Sequence, residues 1–234
     1  MRPSPQALVG RVARTLLVAL VSIVAGTHAL PAAAQATATT TGPQPGIFGF
    51  AEIALEGNGP SRQWLRMLEL YAVERAEAKA GCIGGHCHVT AWLAFLDGLR
   101  GMPLAEQLNA VNDRINAAPY VEDLTNYGVA DYWATPGKFF HRYGDCEDFA
   151  IVKFLSLREL GVPAESLRVV IVGDQTTGLG HAILAVYTGQ DIMILDSKVR
   201  AVVPAANIAW YLPLVSITQG GWWLHAPAIA GGIR

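Results

Sequence analysis

The chain is 234 residues long, 52% hydrophobic and only 15% charged, with a formal net charge of −2. That balance excludes a disordered protein. With 17 Lys+Arg against 19 Asp+Glu and no basic run, it offers no phosphate footprint for nucleic acid. No internal period is present, so collagen, coiled-coil and solenoid architectures are excluded too, and the length suits one domain with a sizeable core.

Arg2, Arg11 and Arg14, with no acidic residue, precede the apolar run from Thr15 to Ala25 and then Ala32-Ala33-Ala34-Gln35-Ala36. This predicts a secretory signal peptide over residues 1–36, cleaved after Ala34 or Ala36. The run is about 11 residues, short of the roughly 20 that span a bilayer. No Cys follows it closely enough for a lipid anchor. Its removal takes away three Arg and no acid, moving the net charge from −2 to −5. The expected product is acidic, soluble and periplasmic, with no stable membrane insertion.

Residues 37–60, rich in Thr, Gly and Pro, predict an irregular lead-in, with the packed domain expected over 61–234. Helical spacing of Trp64, Met67, Leu68 and Tyr71 predicts a helix over 61–80, and a second is expected near 89–99. Pro103 starts a third over 104–117, with Leu104, Leu108, Val111 and Ile115 on one face, and Pro119 stops it. Residues 120–144 are aromatic and irregular, and a fourth helix over 145–160 ends at Gly161 and Pro163. Four strands then follow, near 167–172, 181–187, 192–196 and 212–218. Helices followed by strands predict an α+β domain, with N-terminal helices packed on an antiparallel sheet.

Three cysteines in an exported chain leave one unpaired. In Cys82-Ile-Gly-Gly-His-Cys87 the spacing points to a disulfide. A zinc site from Cys82, His86, Cys87 and His88 is disfavoured, because adjacent ligands strain tetrahedral geometry and no second ligand pair follows. Cys146 remains, in Tyr143-Gly-Asp-Cys-Glu-Asp148. Glycine followed by an acidic cap places it in the first turn of the fourth helix, where the helix dipole favours a thiolate. A nucleophile needs a base, and the base needs an orienting acceptor. A Thr188-Gly189 turn would set His181 opposite Asp196; a Gly189-Gln190 turn would leave them one diagonal step apart on the same face. Either register allows contact. His28, His86, His88, His141 and His225 lack a strand-paired carboxylate and read as surface or packing residues.

The order Cys at a helix start, then His and Asp on successive strands, is that of papain-like folds of the transglutaminase type. Gly144-Asp-Cys-Glu-Asp-Phe, with Asp131-Tyr-Trp-Ala-Thr-Pro136 before it and Gly180-His-Ala-Ile-Leu-Ala-Val186 and Ile194-Leu-Asp196 after it, resembles the bacterial transglutaminase-like cysteine peptidases. The resemblance covers about Gln63 to Ile217 and implies a periplasmic endopeptidase with Cys146 as nucleophile, His181 as base and Asp196 as orienter. It further implies a giant surface adhesin as protein substrate, cut to release biofilm cells, and an inner-membrane cyclic-di-GMP receptor as regulator. Family members use calcium. Asp145, Glu147 and Asp148 offer hard oxygen ligands for it, and a cation would relieve their repulsion of a thiolate. Two positions depart from the family pattern: Ser197-Lys198 follows the Asp where Asn is usual, and Ala182 follows His181 where Met is common. The Cys146 N–H is expected in the oxyanion hole, with Trp133 as a candidate second donor. Acyl transfer to an amine, and a catalytically silent calcium-dependent binding module, are the competing functions.

Overall fold

The structure, a computed structural model, describes residues 46–55, 62–81 and 87–227. The expected signal segment and the Cys82–Cys87 bridge, like the alternative zinc ligands Cys82 and His86, lie outside the described residues. Among the described residues, no helix is long and apolar enough to cross a membrane.

Six helices are formed: α1 (Arg62–Lys79), α2 (Cys87–Asp97), α3 (Leu104–Asn116), α4 (Asp123–Asn126), α5 (Pro136–Arg142) and α6 (Cys146–Glu159). Seven strands, β1 (Phe50–Leu55), β2 (Leu167–Asp174), β3 (Leu179–Tyr187), β4 (Ile192–Leu195), β5 (Val203–Pro204), β6 (Tyr211–Ile217) and β7 (Trp222–Pro227), build one sheet in the order β1-β7-β6-β2-β3-β4-β5. Every pairing is antiparallel.

Helix α6 is the axis of the molecule. Its residues from Asp148 to Leu157 are all buried, so it carries almost no polar stripe and packs on α3, β2 and β3 at once. Trp64, Met67, Trp92, Leu96, Leu108, Val111 and Ile115 from α1, α2 and α3 close around it. Trp92 donates its indole N–H to Ser156 Oγ at 2.9 Å, which satisfies two polar groups inside that core. Gly161, at φ 95°, ends the helix, and the Val162 N–H folds back onto the Leu157 carbonyl at 2.9 Å.

Residues alternate between faces along a strand, so Val169 and Leu184 face the helices while Val170, Val172, Ile183, Ala185 and Ile194 face away. A second, smaller core covers those residues. It contains Ile47, fully buried, with Ala205, Ile208 and Tyr211, and Phe48 against its edge. The expected irregular lead-in over 37–60 is therefore corrected in part. Ile47 plugs this second core, and Phe50–Leu55 adds an edge strand against β7. The stretch 120–144 likewise contains two short helices, α4 and α5. Strands β5 and β7 also had no counterpart in the sequence reading, β5 because two residues show no period.

The β3–β4 hairpin adopts the register with Leu184 opposite Leu195 and Tyr187 opposite Ile192. The Thr188 N–H closes the Gly189-Gln190 turn on the Asp191 carbonyl at 2.9 Å. His181 and Asp196 are thus one diagonal step apart.

Candidate active site

Cys146 is the first residue of α6 and is half-buried. The preceding turn is held tightly. Tyr143 sits at φ 64°, ψ −164°, a conformation unfavourable for a residue with a Cβ, and Asn126 donates to its carbonyl at 3.0 Å. Asp148, three residues after the cap Asp145, completes a capping box and accepts the Asp145 N–H at 3.3 Å. Its other oxygen accepts the Ala134 N–H at 2.6 Å. Gly144 is required by this arrangement, because a Cβ there would lie 2.0 Å from Asp148 Oδ2. Gly144→Ala is expected to cost about 1–3 kcal/mol through overpacking, and more if the cap opens. Urea denaturation measures the loss; an unchanged midpoint would contradict it.

His181 lies in β3 and Asp196 follows β4, 3% and 1% exposed. His181 Nε2 and Asp196 Oδ1 are 2.7 Å apart. Asp196 Oδ1 also accepts the Lys198 N–H at 2.9 Å, Oδ2 accepts the Tyr211 hydroxyl at 2.7 Å, and Asn116 donates to its carbonyl at 2.8 Å. Burial works against a charge here. The hydrogen bond and charge of His181, with those of Lys198 N–H and Tyr211, nevertheless hold the Asp196 carboxyl below its ordinary range. The Ala182 backbone, next to His181, lies close enough to Cys146 to favour its thiolate, which brings the thiol to the same end of β3.

Burial pushes the Cys146 thiol up, and Glu147 and Asp145 push it further, against the Ala182 N–H. The thiol donates to Glu147 Oε2 at 3.2 Å. Around it lie more carboxylates than the three flanking acids. Asp123, Asp131 and Glu147 bring ligand oxygens within 4.8 Å of one another, as do Asp123, Asp145 and Asp148. Asp123 Oδ1 and Asp145 Oδ1 are buried with no hydrogen-bond partner. Burial raises the Asp123 carboxyl to about 6 and the Asp145 carboxyl, also crowded by Glu147, to about 8. Orphaned buried carboxylate oxygens of this kind suit a hard cation.

A family model of bacterial transglutaminase-like cysteine proteinases matches residues 100–225, more than half of the chain. The chain belongs to that family. Calcium-bound LapG of Legionella pneumophila aligns with a TM-score of 0.56 at 30% identity, over 66% of this chain and 87% of LapG. EGTA-treated LapG of the same organism aligns at 0.55 and 30%, over 68% of this chain and 84% of LapG. No curated protein matches the sequence. The molecule is accordingly a cysteine peptidase of transglutaminase-like fold, as the GDCED segment implied.

Other residues stand where this family member's sequence was silent. Asp123 and Asp131 join the acidic cluster from a loop read as irregular, and Tyr211 and Asn116 brace Asp196 from β6 and α3. Asp131 opens the Asp131–Pro136 motif, whereas Asp123 carries no local signal. Trp133 packs edge-on to Trp64, with ring centroids 6.1 Å apart. Of the remaining histidines, His88 and His141 pack with tilted rings 5.3 Å apart, and His225, expected to lack a strand-paired carboxylate, is instead buried in β7 opposite Glu52 of β1, a strand the sequence does not signal.

Proposed function

We propose that Cys146, His181 and Asp196 form the catalytic triad of a periplasmic, calcium-dependent endopeptidase acting on an exported protein. The observation that carries this reading is the buried 2.7 Å His181–Asp196 pair, with Ala182, the neighbour of His181 on β3, close to the Cys146 thiol at the N-terminus of α6. Asp196 fixes the tautomer that leaves the other ring nitrogen free, and His181 removes the thiol proton. The thiolate attacks a peptide carbonyl, the leaving amine takes the proton from His181, and water hydrolyses the thioester.

Asp123, Asp131, Asp145 and Glu147 are the residues that would hold calcium, with Asp148 behind them as cap and a fifth neighbouring carboxylate. A bound cation supplies positive charge beside the sulfur, which favours a thiolate. Binding would also engage Glu147, the carboxylate that now accepts the thiol proton. A large surface adhesin as substrate and a cyclic-di-GMP receptor as regulator follow from likeness to LapG-type enzymes. Export rests on the Arg-flanked apolar run at the N-terminus.

The test is alkylation of Cys146 by iodoacetamide, read by intact mass in calcium and in EGTA, alongside the melting temperature in both. Calcium is expected to raise the melting temperature and to speed alkylation about tenfold or more, one pKa unit being a tenfold change in thiolate. Equal rates and equal melting temperatures would remove calcium from the reading.

A further inference from the structure

Tyr120 follows α3 and pairs with Gly144 in a single parallel bridge, fixed by the Val121 N–H on the Gly144 carbonyl at 2.9 Å. Its ring stacks on Phe149, one turn into α6, with centroids 6.3 Å apart and planes at 22°. Between these two anchors the phenol lies at the first turn of α6, beside the Cys146 backbone and the Asp145 and Glu147 carboxylates. Tyr120 is 55% exposed, so it is open to a bound substrate and is no part of the core.

Resting on the peptidase reading above, we infer that the Tyr120 hydroxyl is the second donor of the oxyanion hole, acting with the Cys146 N–H. As the carbon–sulfur bond forms, the carbonyl π pair moves onto oxygen. That oxygen then accepts both the Cys146 N–H and the Tyr120 O–H. Both hydrogen bonds strengthen as charge develops and relax when the pair returns and the amine departs with the His181 proton. Tyrosine transfers no proton. Burial, with the neighbouring Cys146, Asp145 and Glu147, raises its pKa above the ordinary value of about 10, which keeps the hydrogen in place at working pH.

Two small probes separate this role from its rivals without a known substrate. Acetylation of Cys146 by p-nitrophenyl acetate passes through a tetrahedral oxyanion; alkylation by iodoacetamide displaces iodide and forms none. Tyr120→Phe keeps the ring and its stack on Phe149. It is expected to slow acetylation about 10²-fold while alkylation stays within about twofold of wild type, a change the experiment treats as no effect. Unchanged acetylation would overturn the assignment. Equal slowing of both reactions would make Tyr120 a support of the thiol, and acceleration of both would make it a cover over the site; either result overturns the donor role. Failure of the underlying peptidase reading shows separately, in the unsubstituted chain, as a Cys146 that acetylates and alkylates no faster than an ordinary thiol.

Discussion

Cells producing the Cys146→Ala chain are expected to show none of the new N-termini that the unsubstituted chain creates among exported proteins. His181→Ala should lose about 10³-fold or more in turnover, since without the base neither thiolate formation nor amine protonation is assisted. Asp196→Ala should cost less than His181→Ala, because the carboxylate acts on the imidazole and not on the substrate. In this structure Asp196 also receives Tyr211, Lys198 N–H and, through its carbonyl, Asn116. Its removal therefore strands buried donors as well, and part of that loss will be stability. Terminal-peptide mass spectrometry of the exported fraction, with a denaturation curve for each variant, separates the two. New N-termini persisting in Cys146→Ala would end the peptidase assignment for this thiol and favour the silent binding module. Modified amines in place of new N-termini would favour acyl transfer.

Lys153→Met is expected to stabilise the fold by on the order of 4 kcal/mol near pH 6. Lys153 lies on α6, fully buried, and its ammonium nitrogen has no hydrogen-bond partner among the described residues. Nearby is the face of Phe149, whose ring centre is 6.0 Å away. Burial lowers the Lys153 amine to about 7, and the charge of Asp196 opposes the shift. Unfolded, the same amine keeps its proton up to about 10.5. Between those values the unfolded chain holds more protons, so this group makes stability rise with pH. Below about pH 7 both states are charged and the whole desolvation cost is present; above 10.5 none of it is. The stability advantage of the Met variant should thus shrink between pH 6 and pH 9 in paired urea titrations. A pH-independent gap, or a less stable variant, would contradict this account of the lysine.

Much of the site could be read from local sequence. Gly144, Asp145 and Asp148 announce a capped helix start, and that cap alone places Cys146 at N1 of α6. Hairpin arithmetic limited His181 and Asp196 to one face of a two-stranded ladder in either even register. The choice between registers needed the Gly189-Gln190 turn to be seen closed. Strand β1 carries no local signal, because its ladder partner among the described residues, β7, lies at the other end of the chain, and six residues of mixed polarity show no clear period. Helices α4 and α5, of four and seven residues, are too short for periodicity to reveal.

The sequence by itself determined the helix-then-strand order, the cap beneath Cys146 and the His–Asp pairing, because each depends on contacts within one turn or one hairpin. Tertiary structure alone decided that Asp123 and Asp131 join Glu147, that Tyr120 stacks on Phe149 at the start of α6, and that Lys153 is buried near Asp196. Those groups come from separate elements packed around α6, and no short-range period in a chain records which distant loops a central helix will gather at its N-terminus.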